Sequence, residues 1–263
     1  MHKDHRIIKC FLPLLTVLYV VIFTLLIGMI TDREAVSWYH YALETVAYML
    51  FVLLTAFFLK KCYPKIFPES TKYSFCLPSP KNIFGLLLLT PLYMAVLQRL
   101  FLFFYLVTGQ VVKHGTDFET IPEILVLSIV SVFFAPVIEE LVFRFMALSP
   151  YRSKMGKATA LVIVSLLFAL LHWHNPYTAA ISGIDGLLWG IAFLLTKNIW
   201  YGITMHFINN LMVSFAGILL NLKAPKIWIE DNISFIYFGN EWLLFFGVLA
   251  LVGILLIKAS HNK

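Results

Sequence analysis

Apolar and polar positions along this chain do not alternate at the period of a strand or stripe one face of a helix. They fall into long apolar blocks separated by short polar ones. The blocks run over residues 11–30, 41–59, 83–107, 124–148, 158–173, 179–195, 199–220 and 241–257. A helix needs about 20 apolar residues to cross a bilayer, with a range near 17–25. In lipid every backbone N–H and C=O must be satisfied within the segment, and a helix does this. The pattern therefore predicts an all-α polytopic membrane protein, a bundle of about eight transmembrane helices. The blocks at 158–173 and 179–195 are the shortest, and their boundaries are the least defined by pattern.

No polar stretch is long enough to form a separate soluble domain. The expectation is one transmembrane domain over 1–263, with its motif-bearing core at about 124–220. The first block follows Lys3, Arg6 and Lys9, as a signal peptide would. It is too long for a typical apolar signal region, and Ile30-Thr-Asp-Arg33 stands where small residues would mark cleavage. It reads as a retained helix. Neither an internal repeat nor a low-complexity stretch is present.

Composition sharpens this picture. Of the 263 residues, 60% are hydrophobic and 13% charged, against about 25% charged in soluble domains. Mean hydropathy is +0.86. The net charge of +6 reads as cytoplasmic loops facing a lipid bilayer, not as a nucleic-acid surface. With the N-terminus inside, 14 basic residues fall in inner segments and 4 in outer ones. The inner set includes Lys60, Lys61, Lys65, Lys72 and Lys81, then Arg152, Lys154, Lys157 and Lys197. The positive-inside rule then places both termini in the cytoplasm, for a cell-membrane protein if the source is bacterial. Cys10, Cys62 and Cys76 show neither metal-type nor disulfide-type spacing and read as free thiols.

Arg144 and the groups that could do chemistry lie inside the apolar blocks, where an ionisable group is costly and so a functional candidate by default. The fourth block holds Glu139-Glu140-Leu-Val-Phe-Arg144. The fifth ends in Phe168-Ala-Leu-Leu-His172. The seventh holds His206-Phe-Ile-Asn-Asn210. Residues four apart share a helix face. At ~1.5 Å rise per residue, Glu139 would lie about 18 Å from the inner end of its helix and His172 about 22 Å. His206 and Asn210 would lie about 12 and 18 Å in. Three helices thus bring carboxylate, imidazole and carboxamide to a similar depth.

A carboxylate in such a setting can take a proton from water. One imidazole can orient that water. A second imidazole and a carboxamide can donate to a developing oxyanion. Adjacent residues on a helix stand about 100° apart, so Glu139 and Glu140 do different work. Glu140 can pair with Arg144, leaving Glu139 free as the base. Plainer readings stand beside these: a structural Glu140–Arg144 ion pair, a His172 at the membrane surface beside Trp173, and His206 and Asn210 as interhelical hydrogen-bonding groups. Phe168 reads as packing. Asp185, beside Gly183, Gly186 and Gly190, reads as a rim residue or, more sharply, a substrate contact.

In order and spacing, the three segments resemble the CAAX prenyl endopeptidase and bacteriocin-processing family of intramembrane proteases, the abortive-infection-like family. Its pattern is a glutamate pair with a basic residue four after the second, then Phe-x-x-x-His, then His-x-x-x-Asn. The resemblance implies that Glu139 activates water, that His172 assists, and that His206 and Asn210 stabilise the oxyanion. It implies a peptide or membrane-tethered protein as substrate. The family has been labelled metal-dependent. A metal-free mechanism is favoured here because Glu, His, His and Asn fill every role; if zinc is bound, Glu140, His172 and His206 are the ligand set. No His-Glu-x-x-His, Gly-x-Ser-Gly or Gly-x-Gly-Asp is present. The alternatives are a non-catalytic bacteriocin-immunity or scaffold protein of the same fold and, further off, a proton-coupled transporter. Oligomeric state and substrate identity are not written in these motifs.

Overall fold

Two helix starts among the described residues are set by side chains that satisfy N–H groups of the first turn. In the computed structural model α1 spans Pro80–Thr108. Pro80 opens it where a missing N–H costs nothing, and Ser79 Oγ accepts from the Asn82 N–H at 3.3 Å. The next helical stretch contains Val130–Phe134, α2 (Ala135–Glu140), Leu141–Leu148 and α3 (Ser149–Met155). Gly156, with φ +88, breaks the chain into α4 (Lys157–Leu171). Then come α5 (Pro176–Thr196) and α6 (Ile199–Lys223). Asn198 caps α6: its Oδ1 accepts from the Trp200 N–H at 3.0 Å.

The structure describes residues 72–108, 128–173 and 176–223, with isolated positions at 46, 47, 50, 54, 57, 125 and 254. Every helix or strand element among them is a helix. The blocks predicted at 11–30, 41–59 and 241–257 lie outside the described residues, apart from those isolated positions. The predicted blocks 83–107, 158–173, 179–195 and 199–220 correspond closely to α1, α4, α5 and α6. Two helical windows, Pro80–Leu97 and Thr178–Thr196, are long and apolar enough to cross a membrane; α4 is apolar but shorter.

The block predicted as one α-helix at 124–148 is a hybrid. Val130–Phe134 and Leu141–Leu148 are π-helical. Each π stretch ends two residues before a proline. The Ala135 N–H donates to the Val130 carbonyl, five residues back, and Pro136 follows. The Ser149 N–H donates to the Arg144 carbonyl, again five back, and Pro150 follows. A proline ring clashes with the carbonyl four residues earlier and offers no N–H. Opening the preceding turn to i→i−5 moves that carbonyl aside.

The chain divides into two compact units, Met1–Cys76 with Leu125–Ile203, and Leu77–Ile124 with Thr204–Lys263. The second holds α1 and the greater part of α6. In the first, α4 packs along α5 and both meet the Leu141–Leu148 segment. α4 is apolar on both its inner and its outer face. It buries Ala160, Val164, Ser165 and Phe168, and it exposes Val162, Leu166 and Leu170. An apolar outer face suits lipid.

Loops also meet within this unit. Ser74 donates its N–H to the Lys197 carbonyl at 2.7 Å and accepts from the Ile199 N–H at 3.3 Å. Asn198 Nδ2 donates to the Cys76 carbonyl at 2.9 Å, and Trp200 Nε1 to that of Phe75 at 2.8 Å. The Arg152 guanidinium lies 5.4 Å from the Tyr73 ring. Three segments assigned to the inner face by their basic residues thus come together on one side of the unit. Cys76 is a free, exposed thiol.

Candidate active site

The two glutamates on α2 part company as their 100° separation predicts. Glu140 turns inward and is fully buried, with its Oε2 3.1 Å from Arg144 Nε, also fully buried. Arg144 is further enclosed by aromatic faces: its Cζ lies 5.2 Å from the Phe168 ring, 5.9 Å from Trp189 and 6.0 Å from Phe143. Rings of this kind hold a desolvated cation by their quadrupole. Gly202, in the first turns of α6, covers the other side of the pair. A Cβ there would run into Glu140 Oε2 and stand 3.2 Å from its Cδ.

Glu139 points elsewhere. Its side chain is 20% exposed and that of His172 35%, with Oε2 and Nε2 3.7 Å apart. His172 terminates α4, where its N–H reaches the Phe168 and Ala169 carbonyls. Its Nδ1 lies 2.9 Å from the Phe168 carbonyl oxygen. A carbonyl only accepts, so Nδ1 carries a proton and donates to it, while Nε2 faces Glu139. The 3.7 Å separation is longer than a direct hydrogen bond. A water seated against both atoms would give a proton to one and a hydrogen bond to the other.

Phe168 was read from the sequence as packing alone. It packs, and it also positions. Its ring lies 4.3 Å from the His172 ring and 5.0 Å from Phe143, and its carbonyl selects the His172 tautomer. The spacing Phe-x-x-x-His carried that information, because an i−4 carbonyl is what a residue at a helix C-terminus can reach.

His206 and Asn210 lie one turn apart on α6, within the second unit, and His206 is buried. They therefore share a helix face, as their spacing requires. The structure brings Glu139, Glu140, Arg144 and His172 together in the first unit. A zinc set using Glu140 would have to break the Glu140–Arg144 pair and place a dication beside a buried guanidinium. The buried Glu140–Arg144 pair does not suit that set.

Asp185 corrects a further expectation. It is buried inside the first unit, not at a rim. Its α5 neighbour Gly186 explains this: a Cβ there would stand 3.4 Å from the Ser165 Cα and 3.5 Å from Phe168 Cδ1, so α4 and α5 lie in close contact. Between the same helices runs an apolar groove of about 410 Å³, lined by residues including Val162, Leu166, Ala169, Gly183 and Leu187. Its walls suit a hydrocarbon chain, of lipid or of substrate.

No curated protein and no solved structure matches the chain. A match does exist to a family model, and it covers residues 121–212, the stretch that holds all three motifs. That family is a membrane-embedded peptidase family. Residues 121–212 of this chain are similar to the type II CAAX prenyl endopeptidase Rce1-like family.

Proposed function

We propose that the chain is an intramembrane endopeptidase in which Glu139 activates water to cut a peptide bond of a small peptide or membrane-tethered protein. The observation that carries this reading is the division between the glutamates. Glu140 is committed to Arg144 in full burial, whereas Glu139 is partly exposed and faces His172 Nε2 across 3.7 Å. In the scheme, water gives a proton to the Glu139 carboxylate while its oxygen bonds to the scissile carbonyl carbon. The C=O pair moves to oxygen. His206 and Asn210, assigned by motif and shared helix face, donate to that oxyanion. Collapse then breaks the C–N bond, and Glu139 returns the proton to the leaving amine.

The scheme needs no metal, and the favoured reading is a zinc-free enzyme. The full architecture proposed is a single domain of about eight spans with both termini cytoplasmic. The meeting of the loops at 72–76, 152 and 197–200 supports a common side for those segments.

The test is Glu139→Gln, which keeps shape and hydrogen bonding and removes the base. Expressed at wild-type level, it should bind substrate and lose about 10²–10⁴ in rate. Processing at the wild-type rate would overturn the protease reading and leave a non-catalytic immunity or scaffold role as the better account.

A further inference from the structure

Asp185 is a buried carboxylate that the reaction scheme does not use. It is 5% exposed, and its Oδ1 meets no hydrogen-bond donor among the described residues. Keeping such a group in an apolar helix is costly without a compensating charge. The compensating charge lies on the neighbouring segment. Trp189 follows Asp185 by one turn of α5 on the same face, and its ring lies 5.9 Å from Arg144 Cζ. Gly186 rests on Phe168, whose ring lies 5.2 Å from the same guanidinium. Arg144 is the buried cation that these rings enclose.

Arginine presents five donors in a planar fork. The Glu140 contact is made at Nε, on one edge of that fork. Neither Nη atom has a direct hydrogen bond among the described residues. The guanidinium thus has donors to spare on the segment against which α5 packs.

We propose that Asp185 is a positioning residue that shares Arg144 with Glu140, and so holds the π-helical turn next to the Glu139-bearing turn in one geometry. Two carboxylates from different helices then bracket one cation. Glu140 contacts it along its own helix, and Asp185 flanks it from α5 with Trp189 and Phe168 between them, without a direct ion pair. The bracket locks α5 to the Leu141–Leu148 segment, whose first residue follows Glu140 directly. The inference rests on the glutamate-protease reading for its kinetic consequence, and on packing alone for its thermal one.

The experiment uses purified full-length protein in detergent and a peptide that wild type cleaves and Glu139→Gln does not. Asp185→Asn keeps size and removes the charge. It should lower kcat per folded molecule by about 10- to 10²-fold, since small misplacements of reacting groups cost that much, with KM within about twofold. Asp185→Glu should restore most of the loss. Thermal unfolding of Asp185→Asn, Arg144→Gln and the double variant should be non-additive, with the double closer to the milder single. If Arg144→Gln alone does not accumulate, accumulation of the double variant supports the bracket. If neither accumulates, the Asn and Glu kinetics decide. An Asp185→Asn protein with wild-type kcat per folded molecule would overturn the inference while leaving the Glu139 chemistry intact. Failure of the Glu139→Gln control would instead sink the protease reading, and the unfolding cycle would still report on the bracket.

Discussion

Breaking the Glu140–Arg144 pair should cost far more stability than replacing it whole. Both side chains are fully buried, and the charged atoms are 3.1 Å apart. Removing one partner strands the other charge, at about 3–5 kcal/mol. The two stranded charges differ. A stranded Glu140 can neutralise itself by taking a proton, whereas Arg144 cannot lose one. Against this, Arg144 in a Glu140→Leu variant keeps Phe143, Phe168 and Trp189 around it, each such contact being worth about 0.5–2 kcal/mol. These opposing terms are similar in size, so Glu140→Leu and Arg144→Met should each fall in the same 3–5 kcal/mol band.

The double variant puts two apolar side chains where the pair was. Substitutions of that kind are often neutral or stabilising, so it should recover most of either single loss. The assay is thermal unfolding in detergent. With about 2–4 °C per kcal/mol for chains near this size, the singles should melt roughly 6–20 °C low. Singles melting within about 2 °C of wild type would refute the pair as a structural element. A double variant whose loss equals the sum of the singles would refute the stranded-charge argument.

Four further outcomes are expected. Gly202→Ala, by driving a methyl onto Glu140 Oε2, should destabilise, and Glu140→Ala should relieve that defect; additive melting shifts would argue against the contact. Asn198→Ala removes the α6 cap and a donor to Cys76, so a loss of about 0.5–2 kcal/mol is expected, read as a lowered melting temperature. The native exposed Cys76 should react with an impermeant thiol reagent only from the cytoplasmic side, and a cysteine introduced at Lys113 only from the other; labelling of both from one side would end the eight-span reading. Elemental analysis of active protein should find less than stoichiometric metal, and activity lost to a chelator and restored by zinc would reverse that assignment.

Much of the site was legible because its motifs are spaced for single helix turns. Glu140 and Arg144 meet because i,i+4 places them together, and Glu139 faces away because adjacent residues do not share a face. The start of α6 was legible too, since polar Lys197 and Asn198 precede its apolar run. Other residues gave no such signal. Asp185 stood among glycines, and glycines mark both rims and close packing; only the seating of Gly186 on α4 shows which applies. Gly202 looked like any helical glycine, yet its missing side chain makes room for Glu140. Burial by a sequence-distant element leaves no local pattern to read.

The π segments were legible in principle, and their cause bears on function. Pro136 and Pro150 sit 14 residues apart, and each forces the turn before it open. Between the two widened turns lies a six-residue α stretch that ends on the glutamate pair. A π turn departs from the regular i→i−4 ladder of an α turn, and such turns recur at functional sites. Here the second one contains Arg144. Its backbone is therefore the part of the helix least held by its own ladder, and most dependent on side chains. The buried ion pair, the three rings and the packing of α5 supply that hold. Loosening any of them should disturb Glu139 before it disturbs the fold, because Glu139 is presented by the short stretch that the widened turns bracket.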